Sequence, residues 1–251
     1  FGVLVHSKAE GEFQKNKIRT STKANVCVQS LATPLFTSDH VYDGHSEGVL
    51  VEKKGVGKFV QCTVSGNTAA GVRTLSFGVP ALIDCTISAG AAQAVLSQHE
   101  GLGTFNDCKM FGCSKAATVE IATQANPTFT GCSVLSEANN FCLHVHTHGL
   151  SVWLESKLSD SKIDGVRVET YGDPTMTKCT IDDNQGSGIA IWDCGKGTVS
   201  VLCCVLFCRL LRYFLRAHSR FGGSLCMLFV LFCSTIEMTF SATIFTALRL
   251  W

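Results

Sequence analysis

The side chains best suited to chemistry crowd toward one part of the chain. In LHVHTHG, Leu143–Gly149, histidines fill every second position, with Glu120 on one side and Arg167, Glu169, Tyr171 and Trp192 on the other. If that segment is extended, His144, His146 and His148 point to one face of a strand. His144 and His146 are then about 7 Å apart, which suits two ligands of a single zinc, and Glu120 or Glu169 could add another. His148 stands about 13 Å from His144 by strand rise, so the three cannot share one ion. A solvated histidine face is the simpler expectation, with no metal and no cofactor.

The two glutamates raise acid–base chemistry as well. At about 10 Å they reach the upper limit for an acid and base that invert a glycoside, with Arg167, Tyr171 and Trp192 placed to hold a sugar. A third use is recognition. Histidine, arginine, tyrosine and tryptophan on a flat rigid sheet are residue types that anchor protein interfaces. Leu4, Leu50, Leu75 and Leu96 are expected to add exposed apolar area to the same face. Recognition needs no missing motif and is the preferred reading. Its surface is Glu120, His144, His146, His148, Arg167, Glu169, Tyr171 and Trp192.

These residues meet only if something holds them in register, and the chain repeats itself at the needed interval. GDPTMTKCTI at Gly172–Ile181 matches GVPALIDCTI at Gly78–Ile87 and ANPTFTGCSV at Ala125–Val134. The cysteine of that phrase recurs as Asn16, Asp39, Cys62, Cys85, Cys108, Cys132, Ser156 and Cys179, in steps of 23 or 24 residues. Three residues earlier stand Phe13, Phe36, Phe59, Leu82, Phe105, Phe129, Trp153 and Met176. All four prolines, Pro34, Pro80, Pro127 and Pro174, fall five residues before the reference, in alternate repeats.

A second strand lies fourteen residues before the reference, from GVLV at Gly2–Val5 to GIAI ending at Ile191. Its period of two turns one column inward: Val3, Val26, Val49, Val72, Val95, Val119, Leu143, Val166 and Ile189. A 23-residue unit of short β-branched strands between Gly, Asn and Pro turns is too short for two helices. One coil of a parallel β-helix fits it. About nine coils over residues 1–197 would make a rod of about 40 Å. The reference cysteines would form a ladder of stacked thiols. Coil spacing is just compatible with disulfides, but reduced thiols packed as small core residues are simpler and favour an intracellular setting.

Composition removes other classes. The formal net charge is +1 and Lys and Arg are dispersed, so no nucleic-acid partner is expected. No CxxC pair is present among the 14 cysteines, which excludes zinc ribbons and thioredoxin-like sites. From Thr198 to Trp251 the chain has no Asp, Asn, Gln, Lys or Pro, and Glu237 is its one acid. This hydrophobic tail, residues 198–251, is expected to leave the repeat. A helical cap, a membrane contact through 199–248 and a non-native reading frame are its alternatives.

With the alternation of GVGKFVQCTV and ANPTFTGCSV in view, residues 1–197 resemble the right-handed parallel β-helix (CASH-type, PbH1 repeat) domain. The pattern is most similar to the β-helix region of F-box-only proteins. The resemblance implies an all-β, right-handed, single-stranded solenoid. It also implies substrate recognition in an F-box-type ubiquitin ligase. Cysteine replaces most of the asparagine of that pattern, and no F-box segment is present in the 251 residues. The alternative class is a polysaccharide-active β-helix enzyme, lyase or hydrolase, or a carbohydrate-binding protein, with Glu120, Glu169 and Arg167 as its candidate catalytic residues. β-Helix polygalacturonases carry a paired-Asp motif with a Gly-His-Gly loop, which is absent here.

Overall fold

A computed structural model describes residues 1–200 except 89, 113–115 and 137–139, together with the backbone of 203–204 and 237–241. Each repeat contributes one short strand to each of three parallel sheets. Sheet A runs through nine strands from Val3–Val5 to Ile189–Ile191. Sheet B runs from Glu12–Gln14 to Lys196–Ser200, with Glu237–Ser241 added antiparallel at its end, and sheet C from Lys17–Arg19 to Cys203–Cys204. Register is fixed at one repeat per coil: Val49 pairs with Val72 and Val72 with Val95. The solenoid expected from the 23-residue spacing is therefore the fold.

The interior is built from the columns that the repeat aligns. The valine column of sheet A is fully buried from Val26 to Val166. Each such side chain contributes about 1.5–3 kcal/mol relative to exposure. In sheet B the column three residues before the reference stacks its rings. Phe13, Phe36 and Phe59 follow one another at 4.6 and 4.8 Å. Leu82 interrupts the stack, and Phe105, Phe129 and Trp153 resume it at 4.7 and 3.9 Å. Two polar residues do enter the sheet A interior, Thr74 and Ser97, and their hydroxyls bond each other.

The reference column is a ladder of free thiols. The single S–H of each of Cys62, Cys85, Cys108 and Cys132 has two carbonyls within reach, one two residues earlier and one on the preceding coil, at 3.3 to 3.7 Å. The alternative of disulfides between coils is not what forms. Hydrogen bonding to the next thiol, together with burial, pushes Cys85 and Cys108 up to about 12. Asn16, at the first coil, is exposed and bonds Asp39 Oδ1 rather than heading an asparagine ladder.

A tight turn follows sheet A on every coil. Its two central residues are left-handed, for example Thr147 (φ 51°) and His148 (φ 61°), or Thr170 (φ 48°) and Tyr171 (φ 64°). The amide of the fourth residue returns to the carbonyl of the first: Gly149 N to His146 O is 2.9 Å and Gly172 N to Glu169 O is 3.0 Å. This is the type I′ geometry. Gly or Ala closes it because a larger side chain would strike the preceding coil; a Cβ on Gly172 would stand 2.5 Å from Val145 O. The turns also bond one another, as His148 N does to Thr170 O at 3.1 Å.

The corner from sheet C back to sheet A varies in length. Eight residues separate Ile87 from Val95, but nine separate Met110 from Val119 and Val134 from Leu143. The 24-residue repeats therefore place their extra residue at this corner and leave all three registers intact.

The coil continues past Gly197. Thr198 and Val199 pair with Thr175 and Met176, and Cys203 and Cys204 with Thr180 and Ile181, while Glu237–Ser241 lies antiparallel to Lys196–Ser200. The expectations placed on the rest of the tail, 199–248 included, fall otherwise outside the described residues. Among the described residues no helix is long and apolar enough to cross a membrane.

Candidate functional site

Sheet A orients the site because its outward columns alternate with the buried valines. One column reads Glu120, His144, Arg167 and Ala190 over coils six to nine, paired directly across the coils. The residue two further along opens each tight turn and gives Ala122, His146, Glu169 and Trp192. His148 and Tyr171 lie inside those turns, in left-handed backbone, rather than on a continued strand as the alternation suggested. They still meet, stacking at 5.0 Å.

The charged groups interlock across coils. His146 Nε2 stands 3.3 Å from Glu120 Oε1, and His144 Nε2 stands 3.0 Å from Glu169 Oε1. Gln93 Nε2 donates to the second oxygen of Glu120 at 2.7 Å. Arg167 Nε donates to that of Glu169 at 2.8 Å. The His144 and His146 rings lean together to 4.5 Å between centroids, closer than strand rise alone suggests. The guanidinium of Arg167 lies over the Phe141 ring at 5.2 Å and the Trp192 ring at 5.6 Å. Such cation–aromatic contacts are worth about 0.5–1 kcal/mol each at exposed sites.

These contacts set the charge states. The hydrogen bond from His146 holds the Glu120 carboxyl below its usual range, against the opposing effect of burial. Burial pushes Glu169 up, but the bonds from Arg167 and His144 outweigh it and leave its carboxyl lowered too. Burial, then the neighbouring His146, keeps the His144 imidazole below its ordinary value despite Glu169. At neutral pH the face thus carries two carboxylates and a neutral His144. Neither glutamate is poised as a general acid, which inverting hydrolysis would need.

Sequence spacing groups Glu120, His144, His146, Arg167, Glu169 and Trp192 in the two outward columns of sheet A, while His148 and Tyr171 fall in the turns that follow. It missed Gln93 and Phe141, which lie on the corners that lead into sheet A, outside the alternating strands. It also overstated the apolar area. Leu4 is exposed at 42%, but Leu50, Leu75 and Leu96 are only half-exposed, and Cys27 in the same column is fully buried.

A family described as the right handed beta helix region matches residues 75–207, more than half of the chain. No curated protein matches. A solved structure of trypsin-treated QnrB1, a plasmid-mediated fluoroquinolone resistance protein, is similar at 12% identity over 73% of this chain and 92% of that one. Its TM-score is 0.21. With three parallel sheets wound from one repeat and that match spanning most of them, the chain belongs to the right-handed β-helix family.

Proposed function

We propose that the chain is a non-catalytic β-helix module that recognises another protein through the sheet A face of coils six to nine. The observation that carries this is a pair of large aromatic side chains held out into solvent by the scaffold. Tyr171 is 52% exposed and Trp192 51% exposed. Tyr171 rests on His148, and Trp192 on Arg167. Aromatic and arginine anchors fixed before binding lose little side-chain entropy on association. Beside them an open depression of about 440 Å³ is lined in part by Phe141, Lys162 and Arg167. The lowered Glu120 and Glu169 support recognition over hydrolysis of a polysaccharide.

Substrate recognition in an F-box-type ubiquitin ligase is the finer form of this proposal, supported by the two-coil alternation of GVGKFVQCTV and ANPTFTGCSV. An intracellular setting is supported by the free, stacked thiols, which a reducing compartment preserves. The test is affinity capture from cells that express the protein, with wild type and the Tyr171→Ala/Trp192→Ala/Arg167→Ala variant compared side by side. The proposal expects one protein to be retained by wild type and lost with the variant, while both give the same far-UV spectrum. Retention unchanged by the variant, or binding only of polysaccharide on a glycan array, would overturn it. Co-purification of the full-length gene product with the adaptor subunit of an F-box ligase tests the finer form.

A further inference from the structure

We infer that Glu120, His144 and His146 form a binding site for a zinc-type divalent cation. One ligand atom from each of the three lies within 4.8 Å of the others. A tetrahedral zinc with bonds of about 2.0–2.1 Å holds its ligand atoms roughly 3.3 Å apart. His146 Nε2 and Glu120 Oε1 already stand 3.3 Å apart. The remaining gap, from His144 to those two atoms, closes by rotation of the His144 side chain. Glu169 Oε1, at 3.0 Å from His144 Nε2, borders the group without belonging to it, so water takes the fourth position. Two imidazoles and a carboxylate are a mixed donor set that suits zinc, whereas calcium and magnesium want oxygen alone.

The groups behind the ligands are also in place. Thr147 Oγ1 lies 2.8 Å from His146 Nδ1, and Gln93 holds the far oxygen of Glu120. Outer partners of this kind fix ring orientation and leave one atom of each ligand turned toward the ion. On binding, the cation takes the place of the Nε2 hydrogens. Each neutral imidazole then carries its hydrogen on Nδ1, where Thr147 Oγ1 accepts from His146. The ligands belong to two successive coils, so the ion staples coils six and seven together. The site needs no protein partner and does not depend on the recognition reading.

The experiment uses the full, tag-free chain with its accessible thiols alkylated, because Cys194 is exposed and would compete for zinc. Calorimetric titration with zinc chloride should show one equivalent bound. His144→Ala/His146→Ala should weaken that binding by more than about 100-fold, and Gln93→Ala by about 10-fold. Cobalt in place of zinc should give the visible bands of a tetrahedral nitrogen–oxygen site without thiolate charge transfer. Zinc should raise the unfolding midpoint of wild type and leave that of the double variant unmoved. Glu120→Gln keeps the shape of the side chain and must still weaken binding, which guards against a double variant that fails to fold. Absence of binding to wild type, binding that survives loss of both histidines, or a thiolate-dominated cobalt spectrum would each overturn the inference.

Discussion

Replacing Phe129 by alanine probes the interior column where it is most continuous. The ring is fully buried and sandwiched between Phe105 at 4.7 Å and Trp153 at 3.9 Å. Truncation of a buried phenylalanine costs about 3–5 kcal/mol, and a ring lost from between two others falls at the upper end of that range. Phe129→Leu retains most of the volume and forfeits mainly two ring contacts, for about 1–3 kcal/mol. Phe13 is half-buried at the first coil and has one stacking partner, so Phe13→Ala should cost less than half as much as Phe129→Ala. Stability in a solenoid is a sum of local terms and nearest-neighbour terms, so a gap at coil six should also uncouple the two halves. Urea unfolding followed by circular dichroism would then show a lower midpoint and a shallower slope. If Phe129→Ala were no more costly than Phe13→Ala, the idea that stacked rings hold the rod together would fail.

Three further outcomes follow from the same columns. Val119→Asp places a charge in the fully buried valine column and should abolish cooperative unfolding of the central coils, checked by hydrogen exchange. Arg73 Nη1 bonds Glu47 Oε1 at 2.8 Å; burial raises the Glu47 carboxyl, but its bonds from Ser46 and Arg73 leave it lowered from its ordinary 4.5. A lowered carboxyl stabilises above its unfolded value and loses that contribution as pH falls through its folded value. Arg73→Ala should therefore cost about 1–3 kcal/mol near pH 7, with the difference shrinking below about pH 4.5 as Glu47 protonates in both proteins. Native-state alkylation with peptide mapping should label Cys194 at least about 100-fold faster than Cys85, whose thiol is buried and pushed up to about 12.

Most of the architecture could be read from the chain because a one-residue slip would turn every valine of sheet A outward. A period kept over nine coils therefore fixes register, and the Val49–Val72–Val95 pairing follows directly. The site was legible for the same reason: Glu120, His144 and Arg167 are neighbours by register, without any motif. What the pattern could not convey was side-chain lean and backbone handedness. His148 and Tyr171 continue the alternation in sequence, yet the chain has already turned left-handed beneath them. The half-burial of Leu50 and Leu96 comes from neighbours in the same outward column, which hydropathy alone does not reveal. Gln93 and Phe141 escaped notice because corners carry no periodic signal.

The variable corner between sheet C and sheet A has a practical consequence. Since two coils already accommodate an additional residue there while every strand keeps its partner, a foreign peptide spliced between Met110 and Val119 should be tolerated by the rod. The insertion would precede Glu120 by only a few residues of chain, so the solenoid offers a mount for a grafted epitope or reporter.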